Sequence, residues 1–201
     1  MVMNNAVGAN GRRATLRAVI SGATGVIGMA LVELLKENKI ETLVLCRADS
    51  SRSSRIEENE YIKRVDCSLD GMSRFSLGGS EKYDVFFHFA WAGTWGESRN
   101  DLYLQNMNVK YTLDAVALAA RLGCHTFIGA GSQAEYGRVE GDVSPSTPTF
   151  PENGYGIAKL CAGQLSREAA SRLGMRHIWA RILSVYGPYD SEYTMVMSAI
   201  R

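Results

Sequence analysis

The chain has 201 residues, of which 46% are hydrophobic and 21% charged, and its formal net charge is +1. This composition is typical of a globular domain, and the length suits one well-filled domain better than two. A charge so near zero gives no reason to expect nucleic acid or a membrane surface as a partner, and no apolar run is long enough to span a bilayer.

Residues 1–14 are polar and aperiodic, and we expect a disordered lead-in there. Short apolar runs that predict strands follow at residues 16–21, 42–46, 61–65, 84–89, 126–130 and 178–185. Apolar residues at helical spacing predict helices at residues 26–37, 102–122 and 155–173. The Ser/Arg-rich residues 49–55 and the Pro-containing residues 141–153 are typical of loops.

The predicted strands are apolar throughout and are separated by helices. Strands of this kind belong to parallel sheets that are covered on both faces. Because crossovers between parallel strands are right-handed, the pattern favours a doubly wound, Rossmann-type sheet in a three-layer αβα arrangement. The predicted fold class is therefore α/β.

A glycine-rich turn joins the first predicted strand to the first predicted helix. Its spacing is G-x-x-G-x-x-G, not the G-x-G-x-x-G of many dehydrogenases. Free backbone N–H groups and the positive end of a helix dipole meet at such a turn, which suits a pyrophosphate. The alternative is an ordinary turn between strand and helix. The residues of this turn that we expect to bind a dinucleotide are Gly22, Thr24, Gly25, Val26, Ile27 and Gly28.

The end of the second strand bears on which cofactor is bound. An acidic residue about 20 positions beyond the glycines would bind the ribose 2′-hydroxyl of NAD, whereas Arg suits the extra phosphate of NADP. Here Arg47 follows the strand, and no acid occurs until Asp49. A guanidinium is a good phosphate partner, so the pattern favours NADP over NAD. The alternative is that Arg47 is a solvated loop cation.

Three residues in the second half of the chain suggest proton transfer. Tyr155 and Lys159 are four apart, so they share one face of the predicted helix, and Ser132 follows the fifth strand. The reference pKa of a tyrosine is about 10, and we expect the Lys159 ammonium to lower the pKa of Tyr155 into a useful range. Ser132 would orient the substrate oxygen. The alternative is an ordinary Tyr/Lys pair on a surface helix.

Further motifs occur in a consistent order along the chain. They are H-F-A-W at residues 88–91, N-V-K-Y-T at 108–112, G-S-Q-A-E-Y-G at 131–137, Y-x-x-x-K at 155–159 and R-I-L-S-V-Y-G-P at 181–188. Together with the glycine turn they resemble the extended short-chain dehydrogenase/reductase family, of the NAD-dependent epimerase/dehydratase type that modifies nucleotide sugars. The resemblance implies Ser132, Tyr155 and Lys159 as catalytic residues. The further cofactor contacts that it implies are Asp66, Phe89, Ala90, Trp91, Asn108, Tyr155 and Lys159.

The chain also departs from the family pattern. Gln133 and Ala134 stand where the 4,6-dehydratases have an Asp-Glu pair, which argues against dehydration. Ser184 replaces an Asn that often contacts substrate. Trp91 either narrows the pocket beside the nicotinamide or is a core aromatic. For His88 we expect a core histidine whose hydrogen bonds are satisfied within the protein. The candidate substrate contacts are Gln133, Tyr136 and Ser184.

The resemblance implies an enzyme: an NAD(P)-dependent epimerase or reductase acting at a sugar carbon, C4, of a nucleotide sugar. Family members usually continue into a substrate lobe, so we expect residues 15–201 to form the NAD(P)-binding domain with only the start of that lobe. The alternative function is a dinucleotide-binding module without turnover, acting in redox sensing or partner binding. The predicted helices at residues 102–122 and 155–173 resemble the pair that forms the family's homodimer.

The cysteines are scattered along the chain. Cys46, Cys67, Cys124 and Cys161 form no C-x-x-C pair and have no His at ligand spacing. This pattern gives no reason to expect a metal site or a disulfide framework, and it fits a cytoplasmic location best.

Overall fold

The computed structural model describes residues 15–190 and 194–200. The predicted lead-in at residues 1–14 lies outside this part of the chain. The strands are β1 (Arg17–Ser21), β2 (Glu41–Cys46), β3 (Ile62–Asp66), β4 (Val85–His88), β5 (Thr126–Ser132) and β6 (Arg176–Ile182). The helices are α1 (Val26–Glu37), α2 (Leu102–Arg121), α3 (Gly154–Arg172) and α4 (Met195–Ile200). Short 3₁₀ turns lie at Ser51–Arg55, Glu97–Arg99 and Gln133–Glu135.

All six strands form one parallel sheet in the order β3-β2-β1-β4-β5-β6. The predicted doubly wound Rossmann-type fold is therefore confirmed. The strand order reverses between β1 and β4, and in such sheets ligands bind outside the carboxyl ends of the strands at this point.

The core consists of two apolar layers, one on each face of the sheet. Alternate residues of β1 belong to different layers, since Val19 packs with Phe86 and Leu118, whereas Ile20 packs with Val32 and Val44. All six side chains are at most 2% exposed. Burial on both faces explains why the central strands β1, β2 and β4 consist of continuous apolar runs and not of an alternating pattern.

Predicted and observed boundaries differ most at β6. The prediction was residues 178–185, but the strand runs from Arg176 to Ile182. Its seven residues pair in register with the seven of β5, from Thr126↔Arg176 to Ser132↔Ile182. Because β5 leaves the sheet after Ser132, the apolar residues beyond Ile182 have no strand to pair with. The predicted loop at residues 49–55 contains a 3₁₀ turn, Ser51–Arg55.

Side-chain caps fix where the two long helices begin. The Asp101 carboxylate accepts hydrogen bonds from the first-turn N–H groups of α2. The Asn153 side chain accepts one from Gly156 N (2.8 Å) at the start of α3. Caps of this kind satisfy helix N–H groups that have no partner within the helix. The Asn153 cap places Tyr155 in the first turn of α3.

Candidate active site

The glycine turn (residues 22–28) lies at the carboxyl end of β1, where the strand order reverses. Gly22 has φ +78°, and a Cβ there would overlap the backbone of Phe89 and Ala90. A Cβ on Gly28 would overlap the Gly22 carbonyl oxygen. Gly25 caps α1 without a side chain, so no side-chain cap occupies the first-turn N–H groups of that helix. These are the features of a cradle for an anionic group.

A cavity of about 450 Å³ opens from this turn across the ends of β1, β2 and β4. Its volume is in the range of small-molecule sites. The predicted cofactor residues that line it are Gly22, Thr24, Gly25, Arg47, Phe89, Ala90 and Trp91. Those that do not line it are Val26, Ile27, Gly28, Asp66, Asn108, Tyr155 and Lys159. The sequence analysis missed Ser50, Arg52 and residues 92–95, which also line the cavity.

Two buried amides of α2 hold the segment that follows β4, which we name the Trp91 loop (residues 91–101). The Asn108 side chain donates to Ala92 O (2.8 Å) and accepts from Ala92 N (2.9 Å). The Gln105 side chain accepts from Trp91 Nε1 (2.9 Å) and donates to Gly93 O (2.9 Å). Sequence reasoning missed Gln105, although its position three residues before Asn108 puts both amides on one face of the helix.

His88 is a buried histidine whose ring nitrogens both have partners. Nδ1 lies 2.8 Å from Ser21 Oγ, and Nε2 lies 3.4 Å from Thr112 Oγ1. Since Thr112 donates its hydroxyl proton to Asn108 O (2.9 Å), it accepts from His88, which places the ring proton on Nε2. Burial lowers the pKa of His88 to about 3, so the ring is neutral. It is a satisfied core histidine, as predicted.

Tyr155 and Lys159 lie on the buried face of α3, 9% and 4% exposed. Lys159 Nζ donates to Ala130 O on β5 (2.7 Å) and lies 3.7 Å from the centroid of the Trp91 ring. Burial lowers the pKa of Lys159 to about 7, against an opposing effect of the Glu135 carboxylate. The carbonyl and the indole hold the ammonium on the sheet side of the helix.

The pKa of Tyr155 is raised, not lowered as the sequence analysis expected. Burial is the largest cause, and the Glu135 charge also raises the pKa, whereas the Ser132 side chain and the charge of Arg99 lower it. Lys159 Nζ lies 5.8 Å from the centroid of the Tyr155 ring and is engaged by Ala130. Spacing along the helix placed both residues on one face but did not determine where the ammonium points.

A capping box holds Ser132 at the end of β5. Ser132 Oγ accepts from Ala134 N (3.2 Å), and Glu135 Oε1 accepts from Ser132 N (2.8 Å). Glu135 is fully buried and also accepts from Trp179 Nε1 (2.9 Å) and Arg181 Nε (2.8 Å). Sequence reasoning assigned Glu135 no role, although S-x-x-E is the signature of this cap.

We expect Glu135→Gln to lower the free energy of unfolding by about 2 kcal/mol, since the new amide would turn N–H groups toward the Arg181 guanidinium. Urea unfolding followed by tryptophan fluorescence measures the change. The matched control is Glu152→Gln, because Glu152 meets Arg138 only in an exposed pair at 3.5 Å and should change stability by no more than about 0.5 kcal/mol. Equal losses in the two variants would contradict the structural role of Glu135.

The candidate substrate residues do not lie together in the cavity. Gln133 and Ser184 are exposed. Tyr136 is buried, and its hydroxyl donates to Ser144 O (3.3 Å) and accepts from Arg181 Nη1 (3.3 Å). Tyr136 therefore anchors the loop that leads to α3.

All four cysteines are free thiols. Over residues 15–190 and 194–200, no group of three or more His, Cys, Asp and Glu side chains could hold a metal ion. None of the helices in that part of the chain is both long and apolar enough to cross a membrane.

The sequence model of the NAD dependent epimerase/dehydratase family matches residues 18–201. The chain is 26% identical over 182 residues to the UDP-glucose 4-epimerase of Azospirillum brasilense, covering 87% of this chain and 50% of that protein. It is 26% identical over 197 residues to the dTDP-6-deoxy-L-talose 4-dehydrogenase (NAD(+)) of Aggregatibacter actinomycetemcomitans, covering 92% and 68%.

Among solved structures, the UDP-glucuronic acid 4-epimerase of Bacillus cereus in complex with NAD superimposes with a TM-score of 0.76 at 20% identity. The superposition covers 92% of this chain and 61% of that one. At this identity the likeness is one of fold. The chain spans little more than half the length of the curated epimerases that it matches.

Proposed function

Because the chain belongs to the NAD dependent epimerase/dehydratase family, we propose that it is an NAD(P)-dependent epimerase or reductase. Its substrate is a nucleotide sugar, and its site of action is C4 of the sugar. The names of an epimerase and of a dehydrogenase similar to this chain both specify position 4. We further propose that residues 15–201 form the NAD(P)-binding domain and the start of the substrate lobe, and that the protein acts in the cytoplasm.

The observation that carries this proposal is the position of Trp91 between the cavity and α3. Trp91 lines the cavity, its ring lies 3.7 Å from Lys159 Nζ, and its centroid is 6.0 Å from that of Tyr155. The buried Tyr155 and Lys159 therefore adjoin the space where a dinucleotide would lie. A proton-transfer group next to a dinucleotide site is the arrangement that coupled hydride and proton transfer needs.

The residues present fit NAD(P). The Gly22 turn and the amino end of α1, which has no side-chain cap, face the same cavity as Arg47. In this proposal Gly22, Thr24 and Gly25 hold the pyrophosphate, and the bound nicotinamide supplies the hydride acceptor or donor.

The chain's own residues handle the proton. In an epimerase, Tyr155 takes the proton of the sugar 4-hydroxyl as C4 loses hydride, and returns it when C4 regains hydride on the opposite face. In a reductase, the Tyr155 hydroxyl donates its proton to the 4-keto oxygen as C4 gains hydride. Ser132 hydrogen-bonds the same oxygen, and Lys159 stabilises the cofactor side of the site. The two reactions differ in that only the reductase consumes cofactor.

The first experiment is a titration of the purified chain with NADPH and NADH, followed by the nicotinamide fluorescence. We expect both to bind, and tighter NADPH binding would favour a reductase. A preference for NADH would favour an epimerase. Binding of neither nucleotide by the folded chain would contradict the proposal. Epimerisation of UDP-glucose without net change in cofactor absorbance would indicate an epimerase, whereas loss of NADPH absorbance with a 4-keto sugar nucleotide would indicate a reductase.

Arg47 provides a test of cofactor choice. It lines the cavity with Arg52 and Ser50, and its Nε lies 3.7 Å from Asp49 Oδ1. We propose that Arg47 contacts the 2′-phosphate of NADP, so Arg47→Ala should weaken NADPH binding about tenfold and leave NADH binding unchanged. Fluorescence titration measures both.

The matched control for Arg47→Ala is Arg138→Ala, because Arg138 is 93% exposed and does not line the cavity. It should change neither affinity. If Arg47→Ala weakened NADH and NADPH equally, Arg47 would contact a part that both nucleotides share. If it weakened neither, Arg47 would be a solvated loop cation.

A second candidate function, a dinucleotide-binding module without turnover, is favoured by one observation. Burial raises the pKa of Tyr155, which works against the phenolate that proton abstraction requires. This candidate predicts cofactor binding without conversion of any nucleotide sugar, and no effect of the Tyr155 hydroxyl on any activity.

We also propose a homodimer that forms through α2 and α3. The two helices pack on each other within the chain, with Val109 against Ala158 and Ala162, yet they expose large apolar side chains. These are Leu102, Tyr103, Met107, Ile157 and Leu165. Analytical ultracentrifugation of the purified chain tests the proposal.

A further inference from the structure

The cation nearest to the Tyr155 ring is Arg99 of the Trp91 loop. Arg99 Cζ lies 4.1 Å from the ring centroid, whereas Lys159 Nζ lies 5.8 Å from it. The Arg99 side chain is half-buried, and its Nη1 donates to Thr94 O (3.0 Å). A guanidinium within 6 Å of a ring centroid is in cation–π contact with that ring.

The backbone that carries Arg99 is held from α2. Gln105 Nε2 donates to Ser98 O (3.1 Å), directly before Arg99, and to Gly93 O (2.9 Å). Gln105 is 1% exposed. Because a buried amide anchors the loop at two carbonyl groups, the position of Arg99 over Tyr155 is built into the fold.

The Lys159 ammonium is held by groups other than Tyr155. Its ammonium donates to Ala130 O (2.7 Å) and is covered by the Trp91 ring (3.7 Å). Burial brings the pKa of Lys159 to about 7, so this group loses its charge around neutral pH. An arginine keeps its charge at every pH at which proteins fold. Arg99 is thus the permanent positive charge beside Tyr155.

We propose that Arg99 is a positioning residue for Tyr155. The Arg99 guanidinium packs on the Tyr155 ring and stabilises the phenolate form of Tyr155. The meaning of this contact for catalysis rests on the proposed function, in which Tyr155 exchanges the proton of a sugar hydroxyl. The contact between Arg99 and Tyr155 does not rest on the proposed function, because it is present in the chain without substrate.

Four charged or polar groups face Tyr155 from the elements around it. Ser132 and Arg99 lower the pKa of Tyr155 and Glu135 raises it, while Lys159 approaches from the next turn of α3. Burial opposes ionisation throughout. Removing the Arg99 charge leaves the Ser132 side chain as the sole lowering influence among these causes, so ionisation of Tyr155 must move to higher pH.

The test is a titration of the purified chain in which all nine tyrosines are replaced by 3-fluorotyrosine and followed by ¹⁹F NMR. The more acidic fluorinated ring brings ionisation toward the pH range in which the fold survives. The Tyr155 resonance is assigned by its loss in Tyr155→Phe. We expect Arg99→Gln to raise the Tyr155 midpoint by about 1 pH unit, and Arg99→Lys to raise it less.

Two matched variants interpret the result. Arg172→Gln removes the same charge from the far end of α3, about 25 Å along the helix from Tyr155, and should leave the midpoint unchanged. Lys159→Met should raise the midpoint less than Arg99→Gln does. An unchanged midpoint in folded Arg99→Gln, or a larger rise in Lys159→Met, overturns the proposal. If Arg99→Gln does not fold, Arg99→Lys decides, since a midpoint equal to that of the parent chain overturns the stacked-guanidinium contact.

The titration needs neither substrate nor cofactor, so its failure leaves the proposed function standing. Conversely, a chain that binds no dinucleotide would still show the effect of Arg99 on Tyr155. In an active preparation, the contact has a further signature. Where Tyr155 abstracts the proton of a sugar hydroxyl, the rate in Arg99→Gln should fall most at low pH and recover as pH rises, whereas a purely structural defect would lower it equally at all pH values.

Discussion

Tyr155→Phe should lower turnover about 10³-fold while the chain still folds and binds NAD(P)H. The expected loss follows from the role proposed for the phenol, because positioned acid–base groups contribute between about 10² and 10⁴ to rate. Phe keeps the aromatic ring that Trp91 and Arg99 contact. The cost to the free energy of unfolding should be no more than about 1 kcal/mol, the scale of one hydrogen bond.

Initial rates with UDP-glucose and NAD⁺, and cofactor affinity by fluorescence, separate the two effects. Tyr103→Phe is the matched control, since it removes the same atom from a side chain that is 88% exposed on α2 and should change neither. If Tyr155→Phe turned over sugar nucleotide at the parent rate, the catalytic proposal would fail. Cofactor binding by a parent chain that converts no nucleotide sugar would favour the binding-module candidate.

The fold could be predicted because its determinants are local or are repeated many times. Six apolar runs alternating with helices allow few arrangements, and the right-handed crossover rule reduces these to a doubly wound sheet. The end of β6 could not be predicted in this way. It is set by the last residue of β5, Ser132, which lies fifty residues earlier in the chain than Ile182.

In the candidate site, too, local patterns could be predicted from the sequence, whereas contacts between distant residues could not. The glycine turn and the Tyr155/Lys159 pair are local patterns, and the structure places the turn at the switch point of the sheet and the pair on a buried helix face. The partners of Lys159 are not local, because Ala130 and Trp91 come from two different strand ends. Helical spacing predicts which face a side chain lies on, but contacts across the fold decide whether its charge reaches its neighbour.

The same reason explains why two residues were missed. Gln105 and Arg99 are polar residues, and polar side chains usually lie on the surface. They matter because the Trp91 loop folds back over α3. No periodicity in the sequence indicates this contact. The buried Gln105 is recognisable only once its three partners in the loop are seen.

Gly22→Ala should lower the free energy of unfolding by about 4 kcal/mol and abolish NAD(P)H binding. Two costs add. At φ +78° a side chain costs about 1–2 kcal/mol in backbone strain, and overpacking adds about 1–3 kcal/mol. The added Cβ would overlap the backbone of Phe89 and Ala90, with Ala90 Cα at 2.8 Å. That backbone cannot easily move, because Phe89 N donates to Ser21 O (2.9 Å) and fixes it to β1.

Gly141→Ala isolates the first cost, the backbone strain. Gly141 has nearly the same conformation, φ +86°, but a Cβ there would meet no atom within 4 Å. It should therefore lose only the strain of about 1–2 kcal/mol and keep full NADPH affinity. Urea unfolding and fluorescence titration of both variants give the comparison. Equal losses of stability would mean that the two strands tolerate a methyl group at the switch point, and the close approach of β1 to the end of β4 would then not be what requires glycine there. A larger loss in Gly22→Ala, with binding lost as well, would tie the dinucleotide cradle to the packing of the sheet beneath it.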